Sequence, residues 1–418
     1  MIVFRIFYLL YIFYQEIFLF LTLSTEEAIK KIVSQNSNDL EILMQKILCS
    51  PLLVKLVQWI SQYKTELPDN FKTTLAKLQT ECTKHKRENL DKIIEKYKLD
   101  IKDVSILPNS SGSVGSVYCC FYQGKKAVIK ILHDDVVSNL QDDLILLKVV
   151  QIFYKSLNFD EIYSIMSRQT NLKHEASNLI KIKENLKSLD FIIIPDVLSV
   201  EEDYMICTYE ENVPITELGS YLNESKMYLG IMYLKMLVVD RFIHGDLHNG
   251  NVLYRIENNQ LKIVLLDFGI CNSIEQVHLD IFINIVEELC NKNYQQMMNL
   301  FYSISLIKAT DKQKTELRLL INGFIYEGKI KNSRNLPNLA INLMFQIIDK
   351  NILSFPGTFL YLLSNYLLID HAYNANDILF VAKQKICKDK NLINLFGYDI
   401  YKIKNNLEIL MEMREEAS

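Results

Sequence analysis

The stretch His244-Gly245-Asp246-Leu247-His248-Asn249-Gly250-Asn251, followed sixteen residues later by Asp267-Phe268-Gly269, decides how this chain folds. Two apolar runs lie between the motifs, at residues 251–254 and 261–266, and a polar turn at 257–260 separates them. Apolar runs of this length on either side of such a turn predict two short strands. Because the second strand ends at Asp267, its carboxylate is predicted to lie at the strand tip, facing a cleft.

An acid, an amide five residues later and a second acid after a strand are typical of kinase-type sites that bind Mg-ATP. Asp246 would orient the acceptor hydroxyl or a water molecule, and Asn251 and Asp267 would bind Mg2+ against the phosphates. His248 lies where protein kinases often carry a phosphate-contacting lysine, and it can donate one hydrogen bond there. The alternative, an ordinary polar turn, is disfavoured because two spaced motifs agree.

Composition narrows the class of protein. The chain has 418 residues, enough for two domains or one bilobal domain with an extension, and its 49% hydrophobic residues indicate a packed globular protein. A net charge of −4 does not fit a nucleic-acid partner. Eight scattered cysteines without a CxxC pair indicate reduced thiols in a reducing compartment and no zinc site.

Residues 1–23 are mostly apolar and long enough to span a bilayer, but Arg5, Gln15 and Glu16 lie on one side of the helical wheel. The favoured interpretation is membrane association, with the helix lying in the interface. A helix docked on a partner and a secretory signal stay open as alternatives. Residues 24–103 are predicted to form a helical extension.

Residues 104–212 are predicted to form a β-rich kinase-like N-lobe. Strands are expected at 117–122 and 127–132, joined by a turn at 123–126. Small residues ahead of the first strand would let backbone N–H groups approach phosphate oxygens. The residues expected to bind nucleotide there are Ser110, Ser111, Gly112, Ser113, Val114, Gly115 and Val117. Lys130, in a Val-Ile-Lys sequence that ends the second strand, would contact the α- and β-phosphates.

The rest of the pattern completes a bilobal α+β arrangement. A helix within residues 134–188 carries Glu175, the candidate carboxylate partner of Lys130. Strands are expected at 192–195 and 205–208, and a hinge at 207–211, including Tyr209, would recognise adenine through its backbone. Residues 213–418 are predicted to form a mostly helical C-lobe, with a helix at 220–242 before the first motif and a core helix at 359–369.

Five motifs in order resemble the UbiB family of atypical kinases, of the ubiquinone-biosynthesis or aarF-domain type, over residues 45–375. Its His-Gly-Asp-Pro-His-Pro-Gly-Asn loop resembles residues 244–251, with Leu247 and Asn249 replacing the prolines. The other matches are its Leu-Leu-Asp-Phe-Gly at residues 265–269, its Glu-Ala-x-Asn-Leu at 175–179, its nucleotide loop at 110–117 and its KxGQ motif at 55–58.

The resemblance also implies a regulatory lid, formed by Lys55 and Gln58 together with an ExD motif. Here Val57 replaces the glycine of KxGQ, and the two acidic positions of ExD are Gln169 and Asn171. Gly112 also stands where the family usually has alanine. Because an ammonium buried without a carboxylate is poorly compensated, the hypothesis is a loosened lid with Mg-ATP chemistry retained.

The motifs and the resemblance together imply a Mg-dependent ATPase or small-molecule phosphotransferase. Only residues 270–273 separate Gly269 from a helical pattern resuming at Ile274, and Gly245 stands where many kinases have an arginine that pairs with a phosphorylated loop. No platform for a peptide is therefore expected. Membrane lipids or isoprenoid-quinone intermediates are the implied partners besides ATP. The alternatives are a non-catalytic ATP-binding scaffold and an aminoglycoside/choline-kinase-type phosphotransferase.

Overall fold

The computed structural model describes residues 88–106, 108, 110–111, 114–133, 136, 164, 167–326 and 336–397. The apolar segment 1–23, most of the predicted extension 24–103, and Lys55, Gln58, Gly112 and Ser113 lie outside the described residues. Within the described part, no helix is both long and apolar enough to cross a membrane.

The described chain forms two compact units. The first comprises residues 88–136, 164–173 and 196–209, and the second comprises residues 174–195 and 210–397. The first consists mainly of an antiparallel sheet and the second mainly of helices, which together make the predicted kinase-like α+β fold. The predicted domain boundaries at residues 24, 104 and 213 stay predictions.

The first unit is built on a six-stranded sheet with one helix on its face. Its elements are α1 (Glu88–Tyr97), β1 (Ile101–Lys102), β2 (Ser110–Ser111), β3 (Gly115–Tyr122), β4 (Lys125–Leu132), β6 (Val197–Val200) and β7 (Tyr204–Thr208). The strand order is β1-β3-β4-β7-β6, and β2 also pairs with β3. All of these pairings are antiparallel.

Alternation along the strands builds the core of this sheet. Side chains at every second position of β3, β4 and β7 are buried together with Leu90 of α1. These buried residues are Tyr118, Cys120, Ala127, Ile129, Ile131, Tyr204 and Ile206. Since successive side chains of a strand point to opposite faces, Lys130 lies on the face away from this cluster.

The second unit contains most of the described helices and two small sheets, one of three strands and one of two. Its helices are the main part of α2 (Leu172–Leu186), then α3 (Leu222–Leu234), α4 (Gln276–Cys290), α5 (Tyr294–Ile304), α6 (Asp311–Tyr326), α7 (Leu336–Asp349), α8 (Gly357–Tyr373), α9 (Ala375–Ile386) and α10 (Lys390–Phe396). Its strands are β5 (Ile192–Ile193), β8 (Phe242–His244), β9 (Val252–Glu257), β10 (Gln260–Leu265) and β11 (Cys271–Ser273). β10 pairs with β9 and β5, and β11 pairs with β8.

Several expectations are confirmed with shifted boundaries. Both hairpins turn in two residues with positive φ, at Gln123-Gly124 and at Asn258-Asn259, where four-residue turns were expected. Turns with this backbone match the twist of the paired strands. The expected core helix at 359–369 is the buried centre of α8.

Other expectations were wrong in detail. β6 was not predicted. The strand expected at 205–208 is β7, and it includes Cys207 and Thr208 of the expected hinge, so these two residues belong to the sheet. The helix expected at 220–242 consists of the α-helix α3, which ends at Leu234, and a π-helical segment, Lys235–Asp240, which follows it directly. α4 begins at Gln276 rather than at Ile274, because pairing with β8 keeps the chain extended through β11.

Candidate functional site

The first motif begins at the end of β8, where the His244 ring joins two parts of the second unit. Its Nδ1 accepts a hydrogen bond from the Asp246 backbone N–H at 3.1 Å, and its Nε2 lies 3.1 Å from the Leu266 carbonyl oxygen. Accepting at Nδ1 places the proton of the neutral ring on Nε2, which then donates to Leu266. Burial lowers the pKa of His244 below its ordinary value, so the ring stays neutral. His244 thus links the backbone of Asp246 to the strand ahead of Asp267.

Asn251 closes the loop that carries Asp246. Its side-chain nitrogen donates to the backbone carbonyl of Asp246 at 2.9 Å, and its backbone carbonyl accepts from the Leu266 N–H at 2.9 Å. Because the amide nitrogen is used inside the loop, the amide oxygen is the atom that can bind a cation. Amide and carboxylate oxygens are the ligands that Mg2+ prefers.

His248 lies against Asp246 in the same loop. Its Nδ1 accepts from the Gly250 backbone N–H at 3.0 Å, so a neutral ring carries its proton on Nε2. Nε2 lies 3.8 Å from the Asp246 carboxylate and 3.3 Å from the amide nitrogen of Asn251. The His248 Nε2 atom therefore lies between the Asn251 amide and the Asp246 carboxylate.

Asp267 has an uncommon backbone conformation for a residue other than glycine, with φ at 54°. Its carboxylate accepts a hydrogen bond from the Gly269 backbone N–H at 3.2 Å. A residue held in this region costs about 1–3 kcal/mol, and such residues cluster at functional sites. This turn, two residues after β10 ends at Leu265, sets the direction of the Asp267 carboxylate.

Phe268 is fixed by three contacts that the motif alone did not predict. Its ring is buried and meets the His244 ring edge-on, with 5.2 Å between the centroids. Its carbonyl oxygen accepts from the side chain of buried Asn178 at 3.0 Å and from the Cys271 thiol at 3.6 Å. The Glu-Ala-x-Asn-Leu motif contained Asn178, but sequence reasoning assigned a role only to its glutamate.

Glu175 is buried in the first turn of α2. Burial, followed by the negative charges of Glu175, Asp267 and Asp246, raises the pKa of the Cys271 thiol well above its ordinary value. All three carboxylates are thus close enough to act on one sulfur.

In the first unit, the predicted nucleotide loop is a hairpin. Ser110 pairs with Val117 and Ser111 pairs with Ser116 in antiparallel register. The Val114 carbonyl accepts from His133 N–H at 3.0 Å, which ties this hairpin to the end of β4. Gly115 has a packing role, since an added Cβ would lie 2.4 Å from the Ile131 carbonyl oxygen.

Lys130 lies beside Val117 of the same hairpin. It is directly opposite Val117 on β3 and Met205 on β7, so all three side chains share one face of the sheet. Its side chain is buried. Tyr209 is fastened to β4, because its N–H donates to the Lys126 carbonyl at 3.2 Å and the Lys126 ammonium lies 3.9 Å from its ring centroid.

The two amides at the ExD positions are described, whereas Lys55 and Gln58 are not. Asn171 precedes α2, and its side-chain oxygen accepts a hydrogen bond from Lys173 N–H at 2.9 Å. This is the geometry of an N-cap, which satisfies an otherwise unpaired helix donor. Gln169 is buried just ahead of it. Asn171 therefore has a structural role in starting the helix that carries Glu175.

The segment after Gly269 is short. Six residues separate it from α4, and β11 occupies three of them through its pairing with β8. The Gly245 backbone N–H also donates to the Ile270 carbonyl at 2.7 Å. The residues that follow Asp267 are thereby attached to the loop that carries Asp246.

Comparison with known proteins extends these observations. A family model described as the ABC1 atypical kinase-like domain matches residues 73–301, more than half of the chain. The probable serine/threonine-protein kinase abkC of Dictyostelium discoideum is 30% identical over 241 residues, which are 50% of this chain and 35% of that protein. The probable protein kinase UbiB of Shewanella oneidensis is 25% identical over 306 residues, which are 66% of this chain and 55% of that protein.

AarF domain-containing protein kinase 1 of Mus musculus is 25% identical over 256 residues, covering 54% of this chain and 48% of that protein. The matches thus span only 35% to 55% of these relatives.

Among solved structures, Rv3197 of Mycobacterium tuberculosis in complex with erythromycin aligns with a TM-score of 0.41 at 17% identity, covering 76% of this chain and 91% of that one. The Rio2 kinase of Chaetomium thermophilum aligns with a TM-score of 0.30 at 12% identity, covering 88% of this chain and 96% of that one. These scores add nothing to the assignment, which rests on the family model and the named relatives. The chain belongs to the ABC1 atypical kinase-like domain family, which confirms the resemblance to UbiB and aarF-domain proteins.

Proposed function

We propose that this protein binds Mg-ATP and acts as an atypical kinase or ATPase on a small or lipid-linked compound. One observation carries the proposal. Asn251 donates to the Asp246 carbonyl, and Leu266, next to Asp267, donates to the Asn251 carbonyl. Three motif residues separated in sequence are therefore fixed in one hydrogen-bonded arrangement, as phosphoryl transfer requires of groups that act mainly by positioning and electrostatics.

In this proposal Asn251 and Asp267 hold the metal ion. The Asn251 amide oxygen and the Asp267 carboxylate match the oxygen ligands of Mg2+, which is usually bound by one or two protein groups together with phosphates. The ion would neutralise negative charge that develops on the phosphate oxygens. The Gly269 N–H bond to Asp267 keeps that carboxylate oriented.

Asp246 orients the attacking hydroxyl or water in this scheme. Its backbone is held by His244 and Asn251, so its carboxylate projects from a constrained loop. The His248 Nε2 atom lies 3.8 Å from this carboxylate, and a protonated Nε2 would be able to donate to a phosphate oxygen bound there. Holding a reacting group in place in this way removes part of the entropic barrier.

Residues of the first unit complete the proposed set. As the motifs and the family resemblance imply, Lys130 would bind the α- and β-phosphates and Glu175 would be its carboxylate partner. The hairpin ending in Val117 would cover the phosphates, and the backbone at Tyr209 would contact adenine. The position of Val117 beside Lys130 on one face of the sheet supports these roles.

The acceptor class follows from the short segment after Gly269. Six residues, three of them paired with β8, offer little surface for an extended peptide. We therefore favour water, a small hydroxyl compound or a lipid-linked acceptor, in isoprenoid-quinone or membrane-lipid metabolism as the family resemblance implies. The apolar residues 1–23 support a membrane location in this proposal.

The test is turnover of Mg-ATP by the full chain, with and without lipid vesicles. Asp267→Asn should abolish turnover, because the amide cannot supply the charge that the metal ion requires. Asp311→Asn, at a carboxylate with 98% of its side chain exposed, is the matched control and should leave turnover unchanged. Wild-type protein without turnover under both conditions would refute an enzymatic function.

The non-catalytic scaffold makes a different prediction in cells that depend on the protein. A scaffold that needs bound nucleotide but no chemistry would tolerate Asp246→Asn and fail with Asp267→Asn. An enzyme should fail with both variants. Phosphorylation of a protein substrate in preference to lipid would contradict the proposed acceptor class.

A further inference from the structure

We infer that α8, through Tyr361 and Asn365, positions the backbone that carries Asp246, and that these two side chains are required for the chemical step. The inference rests on the proposed function. Tyr361 and Asn365 touch neither reacting group, so both are positioning residues. They lie beyond residue 301, where the match to the family model ends.

Two hydrogen bonds carry the inference. The Tyr361 hydroxyl donates to the Ile243 carbonyl at 2.9 Å, and the Asn365 amide donates to the His244 carbonyl at 2.8 Å. The two donors are four residues apart, so they lie on the same face of α8, one turn from each other. They hold two consecutive carbonyl groups immediately before Gly245 and Asp246. Both side chains are buried, so water does not compete for these bonds.

Gly245 shows how closely Tyr361 approaches the loop. A Cβ added at Gly245 would lie 2.4 Å from the Tyr361 hydroxyl oxygen and 2.7 Å from a methyl carbon of Ile270. Real Cβ atoms essentially never come this near another heavy atom. The place where many kinases have an arginine side chain is thus filled by α8, and the glycine and the tyrosine form a matched pair.

The surroundings of Asn365 indicate that its side-chain NH2 group, and not its side-chain oxygen, supports the loop. Its Nδ2 is bonded to the His244 carbonyl, while its buried Oδ1 has no hydrogen-bond partner among the described residues. Leaving a buried acceptor unsatisfied is unfavourable, and such groups need an explanation. We infer that the hydrogen bond from Nδ2 to the His244 carbonyl offsets the cost of leaving Oδ1 unsatisfied.

The position of Asp246 depends on the residues held in this way. His244, whose carbonyl accepts from Asn365, also accepts the Asp246 N–H at its ring. Gly245, between them, donates to the Ile270 carbonyl. The loop is thereby attached on one side to α8 and on the other to the segment that follows Asp267.

The first experiment compares two tyrosines of α8. Tyr361→Phe removes the hydroxyl that holds the Ile243 carbonyl. Tyr366→Phe removes an equally buried hydroxyl for which no hydrogen-bond partner is found in the described part of the chain. Tyr361→Phe should lower kcat about tenfold, since a lost hydrogen bond of about 1.4 kcal/mol corresponds to that factor. KM for Mg-ATP should change less than about twofold, and Tyr366→Phe should leave both constants unchanged.

A compensation experiment tests the match between Gly245 and Tyr361. Gly245→Ala alone should reduce kcat, because its methyl group collides with the Tyr361 ring and hydroxyl. Adding Tyr361→Phe removes the oxygen at 2.4 Å but leaves the Tyr361 ring carbon and the Ile270 methyl at 2.7 Å, so the two losses should combine to less than their product. Independent effects would instead multiply, and the double variant would then be worse than either single variant.

Hydrogen exchange separates failure of this inference from failure of the proposed function. Tyr361→Phe should speed amide exchange at Gly245 and Asp246, while Tyr366→Phe should not. Unchanged exchange, or equal kinetic losses in both variants, would overturn the inference. If the wild type shows no turnover, the proposed function fails, and faster exchange in Tyr361→Phe alone would still assign α8 as the support of the loop.

Discussion

Lys235 and Asp240 form a buried ion pair whose removal should destabilise the second unit. The Lys235 ammonium lies 2.7 and 3.0 Å from the two Asp240 carboxylate oxygens, and both side chains are at most 10% exposed. The π-helical segment places these residues, five apart, one above the other. Lys235 also donates to the Asn185 carbonyl at 2.6 Å, near the end of the helix that carries Glu175.

The size of the effect follows from this geometry. Asp240→Asn leaves a buried ammonium without its counter-charge, which should lower the free energy of unfolding by about 3–5 kcal/mol. Lys235→Met leaves the buried Asp240 carboxylate without its counter-charge and should lower the free energy of unfolding by a similar amount. The double variant Lys235→Met/Asp240→Leu buries no charge and loses mainly the bond to Asn185, so it should cost only about 1–3 kcal/mol.

Urea unfolding monitored by circular dichroism measures these differences from the midpoint and slope. Lys312→Met, which removes an ammonium that is 85% exposed and lies 3.8 Å from Glu316, is the control and should cost less than about 1 kcal/mol. If both single variants at the buried pair cost less than about 1 kcal/mol, the reasoning fails. It also fails if the double variant costs as much as the sum of the two single variants.

Three further predictions concern the site itself. Burial lowers the pKa of His244, so on acidification this residue binds a proton in the unfolded chain before it does in the folded one. As the pH drops below about 6.5, the free energy of unfolding should therefore decrease, by at most about 1.4 kcal/mol per pH unit. His244→Asn should weaken this dependence in urea titrations at pH 5 and 7. Asn178→Leu should cost about 1–3 kcal/mol in the same assay and Ser177→Ala, at an exposed position of α2, less than about 0.5; equal losses would contradict the role of Asn178. Gly115→Ala should destabilise the fold even without nucleotide, because its Cβ would meet β4, and a melting temperature equal to the wild type would refute this.

The sequence predicted the parts of the site that rest on local signals. The two hairpins follow from apolar runs around Gln123-Gly124 and Asn258-Asn259, and the order of the motifs predicted the family. Asn251 and Asp267 could be related to Asp246 because their spacing is short and the intervening strands are regular. The structure adds the hydrogen bonds that connect these residues.

What could not be predicted depends on contacts between residues distant in sequence. Tyr361 and Asn365 read as polar positions in an apolar helix, and nothing local relates them to a loop more than a hundred residues earlier. The helix before β8 ends in a π-helical segment in which Lys235 contacts both Asp240 and α2, and periodicity does not reveal such contacts. β6 escaped prediction because none of its four residues is fully buried, so burial gives it no clear alternation.

We propose that Asp246, Asn251 and Asp267 belong to a Mg-ATP site. The free energy of unfolding of the full chain, measured with and without Mg-ATP, tests this proposal. Ligand at about a hundred times its Kd should add about 2.7 kcal/mol to the wild type. Asp267→Asn should be as stable as the wild type without ligand and gain nothing with it. A wild type that gains no stability from Mg-ATP, or an Asp267→Asn variant that gains as much as the wild type, would contradict the account.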